Sequence, residues 1–330
     1  MSFKQIKGAN RRIQILKSAR QADRLPSTYL FSGPEGIGKG LVAKTFAKFI
    51  NCLDNKDGEP CDRCTSCIKI EKGIHPDVHW LSLDVQAADS SYPTGDSIKI
   101  EQVRQVQKDI SLRPYEAKIK IFIINDADRL TLEAANAFLK VLEEPPKDSL
   151  IILITAKPKL LPATIISRCQ KLKFAPLEKN SLEDILKNEY RLDSETSHYL
   201  AYFCEGRLGK ALRLKDKDVL IDKNRIIDNL TNVKGQYQDA EFNKGRFKEY
   251  LDILMSWFRD IYFLKIGSAH QQLINIDRKN DLLNSIGRYS PLELDTIFTF
   301  ISNAALYLEQ NVNPRLLLSN LRMVVSPALR

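Results

Sequence analysis

A chain of 330 residues is long enough for two or three domains, and with 43% hydrophobic and 28% charged residues it has the make-up of a folded globular chain rather than a disordered one. No apolar run nears the ~20 residues that cross a bilayer, and the opening MSFKQIKGAN lacks the apolar core of a secretory signal, so a cytoplasmic protein with no membrane contact is expected. The formal charge of +9 is concentrated near one end: ten Lys and Arg in residues 1–50 stand against only Asp23 and Glu35. That excess favours polyphosphate or nucleic acid nearby, although a solvated helix face carries the same pattern.

In chain order, residues 10–22 place Ile13, Ile15, Leu16 and Ala19 among basic positions, as in an amphipathic helix. Thr28-Tyr29-Leu30-Phe31 is a β-prone run that ends in a glycine-rich turn. Leu41, Val42, Thr45, Phe46 and Phe49 follow at helical spacing, giving strand, loop and helix. Val78–Leu81 predicts a strand and 86–97 a polar loop. Ile119–Asn125 and Leu150–Thr155 are nearly continuous apolar runs, the pattern of strands buried on both faces of a parallel sheet. Between them a helix with Leu132, Ala135, Leu139 and Leu142 along one face closes at Pro145-Pro146. Strands alternating with helices up to about residue 175 predict a parallel α/β sheet. Beyond it, short helical stretches near 181–190, 194–204 and 208–215 predict a small helical subdomain over 176–217. An all-helical segment over 218–330 follows, with apolar stripes at Leu251, Leu254, Met255, Phe258, Ile261 and Tyr262 and again along 291–309.

The turn Gly33-Pro34-Glu35-Gly36-Ile37-Gly38-Lys39-Gly40 matches the phosphate-loop pattern GxxxxGK and departs from it at the last position. Gly33, Gly36 and Gly38 would let backbone N–H groups converge on phosphate oxygens, and Lys39 would reach the outer phosphates. Gly40 lacks the hydroxyl that normally ligates Mg²⁺ at that place. The strand ending Ile123-Ile124-Asn125-Asp126 repeats the deficit, because an active site places Asp-Glu there to hold the metal and orient water. Nucleotide binding is expected to be possible and hydrolysis to be lost. A glycine turn that binds nothing is the plainer alternative.

Cys52, Cys61, Cys64 and Cys67 fall within sixteen residues. Four thiolates make one closed tetrahedral site, so structural zinc is expected, with an iron–sulfur cluster as the competing metal reading. Cys169 and Cys204 read as small core residues.

Together these features resemble the clamp-loader branch of the AAA+ ATPases. The resemblance rests on LPSTYLFSGPEGIGKG, the Cys52–Cys67 insertion, DADRLTLEAANAFLKVLEEPP, LLPATIISRCQKLKF and NPRLLLSNLRM, and it spans nearly the whole chain. It implies an AAA+ nucleotide-binding domain over 1–175 with a zinc module at 52–67, a helical lid over 176–217 and a C-terminal helical collar over 218–330. It also implies that Arg168 of Ser167-Arg168-Cys169 acts as an arginine finger on the nucleotide of an adjacent subunit, where the plainer alternative is a structural ion-pair partner. The implied role is that of a non-hydrolysing stator. Gly40, Asn125-Asp126 and Gly209, where a sensor arginine is expected, separate the chain from the ATP-hydrolysing tau/gamma type. A long tau-type extension is not expected. The implied partners are tau/gamma and delta subunits, a ring-shaped sliding clamp and primer–template DNA. Two other readings stand beside this one: an autonomous ATPase motor, and a zinc-dependent DNA-binding module built on the basic segment.

Overall fold

The fold was taken from a computed structural model, which describes residues 2–22, 24–55, 58–83, 97–231, 244–267, 272–310 and 312–325. The polar loop expected over 86–97 lies, apart from Ser97, outside these residues. The chain divides into two compact units, Met1–Leu177 with Arg207–Lys210, and Glu178–Gly206 with Ala211–Arg330.

The first unit is built on five parallel strands: β1 (Thr28–Ser32), β2 (Val78–Leu81), β3 (Lys120–Ile124), β4 (Ser149–Thr155) and β5 (Gln170–Lys173). Their order across the sheet is β2-β3-β4-β1-β5. In register, Ser32 lies opposite Thr155 and Lys173, and Ile124 lies opposite Leu81 and Leu153. Alternate residues of the central strands enter opposite cores, as a two-residue side-chain period requires. Tyr29, Phe31, Ile121, Ile123, Ile152 and Ile154 pack on one face with α1 (Asn10–Gln21) and α2 (Lys39–Asn51). Leu30, Phe122, Ile124, Ile151 and Leu153 pack on the other with α4 (Ile100–Ser111) and α5 (Leu132–Glu143). A seven-residue helix α3 (Thr65–Glu71) lies between α2 and β2.

Helix α5 starts where the Thr131 hydroxyl accepts the Ala134 N–H at 3.2 Å. Its buried stripe is Ala134, Ala135, Phe138, Val141 and Leu142. The face is rotated from the expected one. Leu132, at the first position, is exposed, and the large Phe138 occupies the core instead. Strand β5 was not legible as a strand, because Leu172 alone of its four residues is buried. It follows the short helix α6 (Ala163–Ser167).

The second unit holds α7 (Lys179–Asn188), α8 (Ser194–Phe203), most of α9 (Leu208–Leu214), and α10 to α14: Val219–Thr231, Lys244–Lys265, Lys279–Ser285, Pro291–Glu309 and Pro314–Val325. Leu251, Leu254, Phe258 and Ile261 of α11 share a core with Leu294, Ile297, Ile301 and Leu308 of α13, while Tyr262 is exposed. Ser290, Pro291 and Glu293 start α13 with a reciprocal cap: Glu293 N–H donates to Ser290 Oγ at 3.2 Å and Ser290 N–H to Glu293 Oε2 at 2.7 Å. No helix among the described residues is long and apolar enough to cross a membrane.

Candidate nucleotide and metal sites

Ligands of open parallel sheets sit beyond the C-terminal strand ends, and here those ends carry Gly33, Asn125 and Thr155. The Gly33 N–H donates to the Thr155 carbonyl at 3.3 Å, tying the loop after β1 to the end of β4. Gly33 has φ +147°, and a Cβ there would lie 2.5 Å from the Phe174 carbonyl oxygen, so no other residue fits. Gly38, at φ +90°, turns the chain into α2, whose first N–H groups have no side-chain cap. Lys39 is buried beneath the loop and donates from Nζ to the carbonyls of Gly33 at 2.5 Å and Pro34 at 2.7 Å. Burial pushes its ammonium down from 10.5 to about 8, against the pull of Glu35, Asp126 and Asp128.

The metal side of the site is built differently. A Cβ on Gly40 would lie 3.2 Å from Cη2 and 3.5 Å from Cζ2 of Trp80, so the indole at the end of β2 lies against the place a hydroxyl-bearing side chain would start from. The Asn125 N–H continues the ladder to the Leu81 carbonyl at 2.8 Å. Its side-chain Nδ2 donates to Asp126 Oδ2 at 2.9 Å and to Ser82 Oγ at 3.4 Å. Asp126 has φ +52°, in the left-handed region, and its carboxylate is engaged by the neighbouring amide. Thr155 Oγ1 donates to Asp128 Oδ1 at 2.5 Å and accepts the Lys157 N–H at 2.9 Å.

Gly209 approaches the phosphate loop backbone to backbone. Its N–H donates to the Gly36 carbonyl at 2.7 Å, and a Cβ there would sit 2.7 Å from that same oxygen. No side chain fits at 209 in this arrangement, an arginine least of all.

The four expected metal ligands converge. The sulfurs of Cys52, Cys61, Cys64 and Cys67 all lie within 4.8 Å of one another. A tetrahedral ion with metal–sulfur bonds of ~2.3 Å sets sulfurs ~3.8 Å apart, so the cradle closes on one with shifts of about 1 Å or less. Three N–H groups already point at sulfur: Cys61 to Cys52 Sγ and Cys64 to Cys61 Sγ at 3.3 Å, and Cys67 to Cys64 Sγ at 3.4 Å. Such bonds favour thiolates. Burial is the largest single effect on Cys61 and pushes it up, but the N–H groups of Arg63 and Cys64 and the side chains of Cys52 and Cys64 together bring it down to about 6. The donor set suits a soft, four-coordinate metal ion.

The Cys loop is also fixed by ion pairs. Lys48, buried in α2, donates to Asp62 at 2.7 Å and to Glu71 at 2.6 Å; Lys17 donates to Glu59 at 2.6 Å; and Arg63 donates to Asp54 at 2.6 Å. Lys17, Lys39 and Lys48, counted in the basic excess of the first fifty residues, thus have internal partners. Cys169 and Cys204 are buried, as expected of small core residues.

Arg168 follows α6 and makes its bonds away from the phosphate loop. Nη1 donates to the Thr164 carbonyl at 3.0 Å and Nη2 to Glu143 Oε1 at 2.6 Å. The side chain of Cys169 turns into the core while Arg168 stays about one-third exposed. The structure therefore brings Lys39 within electrostatic reach of Asp126 and gathers the four cysteines, and it holds Arg168 separately. Trp80, Asp128, Thr155 and Glu143 were not singled out from sequence. Glu143 lies within the quoted LEEPP element, and Thr155 ends a recognised strand.

A glycine loop after β1 of a β2-β3-β4-β1-β5 parallel sheet, followed by helical segments, is the fold of the AAA+ P-loop proteins. The solved structure of a DNA polymerase III gamma subunit-related protein from Thermotoga maritima superposes over 96% of this chain and 99% of its own, with a TM-score of 0.50 at 17% identity. The family model described as DNA polymerase III, delta subunit, matches residues 8–178, and its C-terminal counterpart matches 229–323. DNA polymerase III subunit delta' of Bacillus subtilis is 32% identical over 306 residues, 88% of this chain and 87% of that one. Subunit tau of the same organism is 30% identical over 222 residues, 66% of this chain and 38% of that one. The chain belongs to the DNA polymerase III delta' family of AAA+ clamp-loader proteins.

Proposed function

We propose that this chain is the non-hydrolysing stator of a DNA polymerase III clamp loader, working in the cytoplasm with tau/gamma and delta subunits to place a sliding clamp on primer–template DNA. In this reading 1–175 is the nucleotide-binding-like domain, 176–217 the lid and 218–330 the collar that joins the other subunits. Cys52, Cys61, Cys64 and Cys67 hold a structural zinc ion. Gly33, Gly36, Gly38 and Lys39 keep the cradle for a nucleotide phosphate, without chemistry following.

The observation that carries the reading is Gly40 packed against Trp80, beside an Asp126 carboxylate engaged by Asn125. A metal-assisted phosphoryl transfer needs a hydroxyl or carboxylate at these places to hold Mg²⁺ and orient water. The chain alone is therefore not an enzyme. Its partly exposed Arg168 would instead stabilise charge on the phosphoryl group transferred in an adjacent subunit, an effect worth ~10³–10⁵ in rate at the site it serves.

The test is Arg168→Ala in the complex reconstituted with tau/gamma and delta subunits. Assembly should persist by size-exclusion chromatography, while DNA-stimulated hydrolysis loses the neighbouring subunit's share and clamp loading falls. Unchanged hydrolysis would remove Arg168 from this role, and ATP turnover by the purified chain at motor-like rates would remove the stator reading altogether.

A further inference from the structure

Resting on the reading of Arg168 as a residue that acts in trans, we propose that Glu143 is its positioning residue. The carboxylate at the end of α5 sets the direction in which the guanidinium is presented. Two partners from different elements fix it: the Thr164 carbonyl on α6 takes Nη1 at 3.0 Å, and Glu143 Oε1 takes Nη2 at 2.6 Å. The Thr164 oxygen is itself held by Ser167 Oγ at 3.0 Å, and the next residue, Cys169, is anchored in the core with Sγ donating to the Ile165 carbonyl at 3.1 Å. The backbone at 168 is thus fixed on both sides, and Glu143 supplies the remaining constraint on a long, rotamer-rich side chain.

A guanidinium has five N–H groups. One on each terminal nitrogen is used, and three remain for an incoming anion. An arginine already fixed in plane and direction loses less freedom on meeting a phosphoryl group, and preorganised charge is the kind that lowers a barrier. A contribution to fold stability does not account for the pair. Its side chains are 35% and 50% exposed, and exposed ion pairs contribute little. The same exposure lets a triphosphate approach the free edge of the fork without first breaking the bond to Glu143.

The experiment uses the full clamp-loader complex with ATP, primed DNA and clamp, comparing Glu143→Ala, Glu143→Gln, Arg168→Ala and the double variant. Glu143→Ala should lower kcat of the hydrolysis that depends on Arg168 by about tenfold with KM for ATP little changed, because a misaligned group costs the transition state more than binding. Glu143→Gln keeps an acceptor oxygen at the same reach and should recover most of the rate. The double variant should be no slower than Arg168→Ala. Size-exclusion profiles and melting curves of the variants exclude misfolding as the cause. If Arg168→Ala slows hydrolysis while Glu143→Ala leaves it unchanged or accelerates it, the positioning role fails and the finger reading survives. If Arg168→Ala itself has no effect, the finger reading falls, and the role of Glu143 with it.

Discussion

Gly40 lies against the indole of Trp80, whose Cη2 is 3.2 Å from where a Cβ at 40 would be. A side chain at 40 and the Trp80 indole would therefore compete for one space. Restoring a threonine at 40 adds three heavy atoms to a space the indole occupies, and overpacking of this kind costs about 1–3 kcal/mol. Gly40→Thr should lower the urea midpoint, and the loss should be smaller in a Trp80→Ala background, giving a non-additive double-mutant cycle. Additive effects would show that the two residues do not compete for space.

Gly209 is constrained more severely, since the Gly36 oxygen that its N–H reaches at 2.7 Å is also 2.7 Å from its would-be Cβ. Even alanine must push one backbone segment off the other. Gly209→Ala should cost about 1–3 kcal/mol by chemical denaturation, and Gly209→Arg should also release the 209 amide to fast hydrogen exchange. Retained protection in the arginine variant would contradict the backbone contact.

Which parts of this architecture were legible follows from how far apart the cooperating residues lie. IKIFIIN and LIILIT could be read as central strands because both faces of each strand are covered, so nearly every position is apolar. The edge strand Gln170–Lys173 buries a single side chain and left no periodicity to read. The cysteine cluster is local, and its spacing alone gathered the ligands. Trp80 opposite Gly40 and Glu143 opposite Arg168 are pairs made by the fold across different elements, and a pattern read along one segment does not register them. Part of the basic excess of the first fifty residues is paired inside the protein in a way no single segment shows, because the partners of Lys17 and Lys48 (Glu59, Asp62 and Glu71) lie further along the chain.

The depressed lysine gives a pH signature. Lys39 titrates at about 8 folded and near 10.5 otherwise, first because it is buried. Below pH 8 the ammonium is charged in both states and its burial penalty is fully present. Between about 8 and 10.5 the unfolded chain binds more protons than the folded one, so stability linked to this group rises with pH. The folded protein should therefore gain on a Lys39→Met variant by roughly 1–3 kcal/mol as pH is raised through that window, read from paired denaturant titrations. A stability difference that stays flat from pH 7 to 10.5 would place the folded lysine at its ordinary value. Phosphate affinity of the loop, if measured over the same range, should fall as the ammonium is lost.

The cysteine cradle makes the last prediction. If Cys52, Cys61, Cys64 and Cys67 hold zinc, the purified chain should carry one equivalent by elemental analysis, and a thiol reagent under native conditions should not titrate these four. Chelation should release the ion while the freed thiolates take up protons, because thiolates bind it and thiols do not. The described residues of the segment 52–67 add nothing to the hydrophobic core cluster of this unit and are tied down by the Lys17, Lys48 and Arg63 ion pairs, of which only Lys48 is fully buried. Metal removal should therefore lower the first unit's melting temperature by about 5–10 °C, the shift that a loss of a few kcal/mol produces in a domain of this size. Cys67→Ser should reproduce both the metal loss and the shift. Cys169→Ser, outside the cluster, should retain the full equivalent. A chain that purifies without metal and shows all four cluster thiols reactive in the folded state would make this segment a bare loop held by ion pairs alone.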